Sequence, residues 1–139
     1  MIIKLSASKN VFSWAIRKIT GSPYSHVDIV LAEGFYLGSQ PGTGVVLHKE
    51  VCPFEHFYEI DIDSEIPLTF LFDQVGKKYD YSGIYGFLTK DRDWQEDDCW
   101  FCSELVAASI NKVEKIFPDE ASSISPGDIA KHPRLKRIK

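Results

Sequence analysis

The chain has 139 residues, with 16 Lys and Arg against 20 Asp and Glu, and so a formal net charge of −4. Hydrophobic residues make up 44% and charged residues 26%, which excludes a disordered or collagen-like chain and suits one compact domain. The acidic pI of about 5.5 argues against a nucleic-acid protein held by bulk charge, because phosphate binding needs clustered Lys and Arg.

No run of about 18 apolar residues is present to span a membrane. Met1 to Ser6 lacks the basic and apolar segments of a secretory signal. Three cysteines, Cys52, Cys99 and Cys102, are too few and odd in number for a disulfide scaffold. They read as reduced thiols, and the expected location is the cytoplasm.

In chain order, Ile2–Leu5 is a short apolar stretch that predicts a first strand. Ser8 or Asn10 can cap a helix over about Val11–Ile19, where Val11, Trp14, Ala15, Lys18 and Ile19 trace one face. Gly21-Ser22-Pro23 stops it. Tyr24–Leu31 is β-rich, as is Phe35–Leu37 leading on to Val45–Leu47. Ala32-Glu33-Gly34 is short enough for a hairpin connection, and Gln40–Gly44 is a second turn. Phe57–Ile62 predicts another strand, and Leu68–Val75 a short helix ended by Gly76. Tyr81–Leu88 is helical or irregular, and Thr89–Asp98 is a polar loop. Phe101–Phe117 carries the clearest helical stripe. Ser125–Asp128 is a turn before a basic tail. No repeat or linker divides the chain, so the elements make one α+β domain over residues 1–139.

Cys102 falls at the start of the longest predicted helix. A thiol there feels the positive end of the helix dipole, which favours the nucleophilic thiolate. Position alone favours a small buried residue on a helix face, the commoner fate of a single free cysteine. His26 supplies the second half of a possible pair. Alternation in Tyr24–Leu31 puts Val27 and Ile29 on one face, and Tyr24, His26 and Asp28 on the other. A histidine on a rigid strand is suited to hold a thiolate and later deliver a proton. His48 and His56 flank the Cys52-Pro53 bend, and His132 precedes Pro133; these are weaker candidates.

Ser25-His26-Val27 on a strand, with Phe101-Cys102-Ser103-Glu104-Leu105-Val106 opening a late helix, resembles the NlpC/P60 superfamily. The order of histidine before cysteine is similar to its circularly permuted branch, which holds YiiX-like and lecithin:retinol acyltransferase-like proteins. Phe12–Arg17, Gly76–Tyr81 and Ser125–Ile129 resemble further segments of that branch. The resemblance implies a papain-like α+β fold in which the cysteine helix packs on an antiparallel sheet. It implies Cys102 as nucleophile and His26 as general base and acid; no cofactor and no metal are expected. Tyr24, Tyr79, Tyr81 and Trp100 would neighbour the cleft. The family's third polar residue falls on Gly38, which has no side chain. Gln40 is the favoured substitute for orienting His26, with Ser39 and Asp28 as alternatives.

The function expected on this basis is hydrolysis of amide bonds in peptides or cell-wall fragments through an acyl-enzyme. Ester, thioester or lipid-acyl chemistry is the runner-up, and a non-catalytic binding module on the same fold is the alternative from another class. Cys99-Trp100-Phe101-Cys102 is also spaced like a redox pair, but it comes late and carries a bulky spacer. A zinc site on Cys99, Cys102 and two histidines lacks the usual His spacing. The partner is a small peptide or acyl substrate; the sequence holds no signal of oligomeric state.

Overall fold

In the computed structural model, which describes residues 1–82, 98–118 and 124–139, the alternating segments assemble a six-stranded antiparallel sheet. Its strands are β1 (Ile2–Ala7), β2 (His26–Ala32), β3 (Phe35–Gln40), β4 (Gly44–His48), β5 (Phe54–Ile60) and β8 (Leu135–Arg137). Their spatial order is β4-β3-β2-β1-β5-β8. β1 and β2 are therefore central, and both run short and apolar on one face. Ile3 and Leu5 of β1, Val27 and Ile29 of β2, Leu37 of β3 and Ile60 of β5 are wholly buried there. Each such side chain contributes roughly 1.5–3 kcal/mol by leaving water.

The helix α3 (Cys102–Asn111) closes this face, packing on β2 and β3. Phe101, Cys102, Leu105, Val106 and Ile110 lie at or below 2% exposure, so the helix is buried nearly all round. The helix α1 (Val11–Thr20) starts where the Asn10 Oδ1 accepts from the Ser13 N–H at 2.7 Å, and ends on Gly21 at φ 64°. α2 (Glu65–Gln74) and α4 (Pro126–Lys131) complete the helices of the described residues. A small parallel pair, β6 (Lys78–Tyr79) with β7 (Cys99–Trp100), fixes the approach to α3 and sets Tyr79 beside it. Among the described residues no helix is long and apolar enough to cross a membrane.

Several boundaries differ from the sequence pattern for local reasons. α3 ends at Asn111 rather than at Phe117. The Asn111 side chain accepts from the Ile116 and Phe117 N–H groups and donates to the Phe117 carbonyl, folding the chain back while Phe117 stays in the core. Ser125–Asp128 is the start of α4 rather than a plain turn. Ser125 Oγ accepts from the Asp128 N–H, and the Asp128 carboxylate accepts from the Ser125 N–H. Part of the basic tail forms the edge strand β8 against β5, where Leu135 is buried and Lys136 and Arg137 face water. The predicted Tyr81–Leu88 and Thr89–Asp98 segments lie outside the described residues from 83 to 97.

Asn111→Ala removes three hydrogen bonds that hold the exit of α3. It is expected to lower stability by about 2 kcal/mol. Urea unfolding followed by circular dichroism checks this, as a lower midpoint at an unchanged slope.

Candidate functional site

The sheet's other face is polar and, around β2, equally buried. Antiparallel register sets Ser6 opposite His26 and Lys4 opposite Asp28. These four side chains therefore share the face that Val27 and Ile29 leave. Asp28 and Lys4 are fully buried. One carboxylate oxygen, Asp28 Oδ1, lies 2.8 Å from His26 Nε2 and 3.1 Å from His48 Nε2. The other, Oδ2, lies 3.4 Å from Lys4 Nζ and accepts no hydrogen bond among the described residues. Lys4 Nζ donates to the Glu50 carbonyl at 2.9 Å and sits 3.6 Å above the Tyr36 ring centre.

These contacts set the charge states. Burial pushes the Asp28 carboxyl up, but the attraction and hydrogen bonds of His26 and His48 outweigh it and hold the group well below the carboxylate range. Burial pushes the His26 imidazole down. Asp28 and Cys102 together reverse that, and the ring stands well above its ordinary value.

Cys102 is the first residue of α3, and its N–H is among the first-turn donors that a helix cannot satisfy internally. Its sulfur is fully buried, 4.0 Å from the Ser25 carbonyl. Its charge and hydrogen bonding are among the influences that raise the His26 pKa. With Nε2 turned to Asp28, Nδ1 is the nitrogen left for the thiol. Ser25 and His26 line a cleft of about 230 Å³, together with Ser6, Phe12, Gln40 and Tyr79. Ser6 Oγ is buried there without a hydrogen-bond partner among the described residues. The sulfur thus lies one residue behind the cleft wall.

The structure brings Cys102, His26 and Tyr79 together, keeps Tyr81 at the cleft's edge, and sets Gln40 and Tyr24 against other partners. Gln40 does not meet His26; its Nε2 lies 2.8 Å from His48 Nε2. The carboxylate of Asp28 meets the His26 ring instead, and Gly38 explains why. A Cβ on Gly38 would overlap Asp28 Oδ1, so the absent side chain on β3 is the space that Asp28 fills from β2. Tyr24 is not in the cleft. It turns towards β5, with its hydroxyl 2.7 Å from His56 Nδ1 and 2.9 Å from the Tyr58 hydroxyl, and burial with Tyr58 pushes its phenol up to about 12. The Tyr81 hydroxyl accepts from the Gly42 N–H at 2.7 Å, and its ring packs on Phe12 and Tyr79 at the cleft's edge.

Fold and site together define an α+β protein with a histidine strand set against a cysteine helix. No family model matches the chain, and no curated protein matches its sequence. Among solved structures it is similar to the crystal structure of the metalloprotein YiiX from Escherichia coli O157:H7. The TM-score is 0.68 at 16% identity, over 99% of this chain and 94% of that one. The likeness is one of fold: this chain has the YiiX-like arrangement of antiparallel sheet and helices.

If Asp28 orients His26, Asp28→Asn in the presence of a chelator moves the His26 titration to lower pH, because the largest raising influence is lost. Gly38→Ala, which crowds the carboxylate out, moves it the same way, whereas Gln40→Ala does not. Imidazole proton shifts followed by NMR measure all three.

Proposed function

We propose that the chain is a cysteine hydrolase acting on amide bonds of small peptides or cell-wall fragments. Cys102 is the nucleophile, His26 the general base and acid, and Asp28 the positioning residue. The observation that carries this reading is the His26 ring held between the Asp28 carboxylate and the Cys102 thiol at a helix start. The order of histidine strand and cysteine helix supports a permuted NlpC/P60 arrangement.

In the reaction, His26 takes the thiol proton and the sulfur attacks the carbonyl carbon. The carbonyl π pair moves to oxygen, where the Cys102 N–H offers a hydrogen bond. Collapse expels the amine, which takes the proton from His26, and leaves a thioester on Cys102. Water, giving its proton to His26, then attacks that thioester; the acid leaves and the sulfur recovers its proton. Asp28 keeps Nδ1 aimed at sulfur by accepting from Nε2. Ester or thioester substrates need the same groups and differ only in the leaving atom.

A second reading rests on a separate observation. YiiX is described as a metalloprotein, and in this chain the ligand atoms of His26, Asp28 and His48 all lie within 4.8 Å of one another. A tetrahedral zinc ion with bonds of about 2.0–2.2 Å sets its ligand atoms about 3.3 Å apart. The 2.8 and 3.1 Å separations around Asp28 Oδ1 are close to that spacing, and two imidazoles with a carboxylate fit a borderline cation. Such an ion would supply Lewis acidity and a bound water of lowered pKa.

The cysteine reading is tested by iodoacetamide capture in chelator. Cys102 is expected to alkylate at pH 6 at least about tenfold faster than a model thiol, and His26→Ala to abolish the advantage. A rate no faster than the model thiol, unchanged by His26→Ala, would overturn it.

A further inference from the structure

The thiol and metal readings draw on one atom, His26 Nε2. With Cys102 active, that nitrogen carries the proton that Asp28 accepts; in a complex it gives its electron pair to the ion. We propose that His26, Asp28 and His48 form an inhibitory site for a zinc-class divalent cation, and that occupancy of this site and Cys102 chemistry exclude one another. The inhibition rests on the cysteine reading above, while the site itself does not.

The ligands stand on the scaffold rather than on loops. His26 and Asp28 are two residues apart on β2, and His48 ends β4, with β3 between them. Gly38 on β3 is what opens the space. With no Cβ there, Asp28 Oδ1 reaches the point that both imidazole nitrogens face. Lys4 pairs with Oδ2 and leaves Oδ1 to the imidazoles. His26 and His48 keep 17% and 13% of their side-chain surface, and His26 and Gln40 line the cleft, which gives an ion its route in.

The hydrogen bonds show what loading must displace. His48 Nδ1 accepts from the Glu50 N–H at 3.3 Å, so the proton of a neutral ring sits on Nε2, aimed at Asp28, with the Gln40 amide turned to present its oxygen there. Coordination at both Nε2 atoms displaces those protons: a neutral ring shifts its proton to Nδ1, in His48 with loss of the long Glu50 contact, and a ring already protonated at Nδ1 gives its Nε2 proton to solvent. The Gln40 amide, 2.8 Å from His48 Nε2, lies where that oxygen can support the ion or a bound water.

The consequence for Cys102 follows from valence. A His26 ring with the ion on Nε2 keeps Nδ1–H and has no electron pair left for the thiol proton. Asp28, drawn to the ion, no longer orients the ring. Chelation restores both.

The test uses the full chain, stripped with a chelator and titrated with zinc chloride by calorimetry. One zinc per chain is expected. His48→Ala should weaken binding by about 100-fold or more, beyond the 10–100-fold usual for an outer partner. His48→Gln, checked for native melting, should behave likewise. Cys102→Ser should bind zinc within about threefold of the parent, and cobalt should show no sulfur charge-transfer band. Zinc should also slow iodoacetamide capture of Cys102 at least about tenfold, with the ratio of rates with and without zinc falling towards one in His48→Ala.

Binding lost in Cys102→Ser but kept in His48→Ala would place zinc on the thiol and overturn the site. Binding through His48 with no slowing of capture would overturn the exclusion. A Cys102 that is unreactive even in chelator would sink the cysteine reading, and the binding arms would still decide the site.

Discussion

The buried Asp28 carboxylate is the constraint around which the polar half of the molecule is built. Placing a bare carboxylate at zero exposure costs several kcal/mol unless it is paired and hydrogen-bonded. Three strands supply the partners: Lys4 from β1, His26 from β2 itself and His48 from β4. β3 supplies an absence, Gly38, which lets the carboxylate stand where it does. Lys4 is in turn held by the Glu50 carbonyl and the Tyr36 ring, so the loop after β4 is tied to the same charge. Remove the carboxylate and a buried ammonium loses its ion-pair partner.

The two faces of one sheet thus carry different burdens. The Ile3, Leu5, Val27 and Ile29 face binds α3 through apolar area alone, and gives the cysteine helix a rigid seat. The opposite face spends its burial on charge and holds the imidazole. His26, at the first position of β2, is where the faces meet, because α3 begins at the same level and presents Cys102 beside the Ser25 carbonyl. The helix begins there for local reasons. Phe101 is extended, its N–H is taken by the Glu104 carboxylate at 3.3 Å, and β7 fixes the residues just before it.

Much of this is written in short-range pattern. Alternation in β2 separates Val27 and Ile29 from His26 and Asp28, and Asn10 and Gly21 bracket α1. Cys102 at a helix start is visible from the stripe that follows it. What spacing does not carry is contact across strands. Gln40 shares the parity of Gly38 and is the natural heir to its role, yet parity does not say that Asp28 already occupies the space. His48 lies twenty residues from Asp28, and only the β2-β3-β4 order brings them together. Lys4, in an apolar strand, looks like an ordinary snorkelling residue until its register with Asp28 is known. The early end of α3 is equally non-periodic, since one asparagine side chain stops an apolar stripe that would otherwise continue.

His48 is the residue that a simple cysteine–histidine pair does not need. One carboxylate facing one imidazole, with Lys4 behind it, already fixes the His26 tautomer. A second imidazole on the same Oδ1 draws on the oxygen that meets His26, and its Nε2 also lies 2.8 Å from the Gln40 amide. For an orienting device alone this is a loss, because the shared acceptor is divided between two donors. For a cation it is a gain, because the same sharing gathers three ligand atoms within 4.8 Å of one another on two strands of a rigid sheet. The geometry around Asp28 Oδ1 therefore fits a group that serves two states, an oriented imidazole when the site is open and a ligand when an ion fills it.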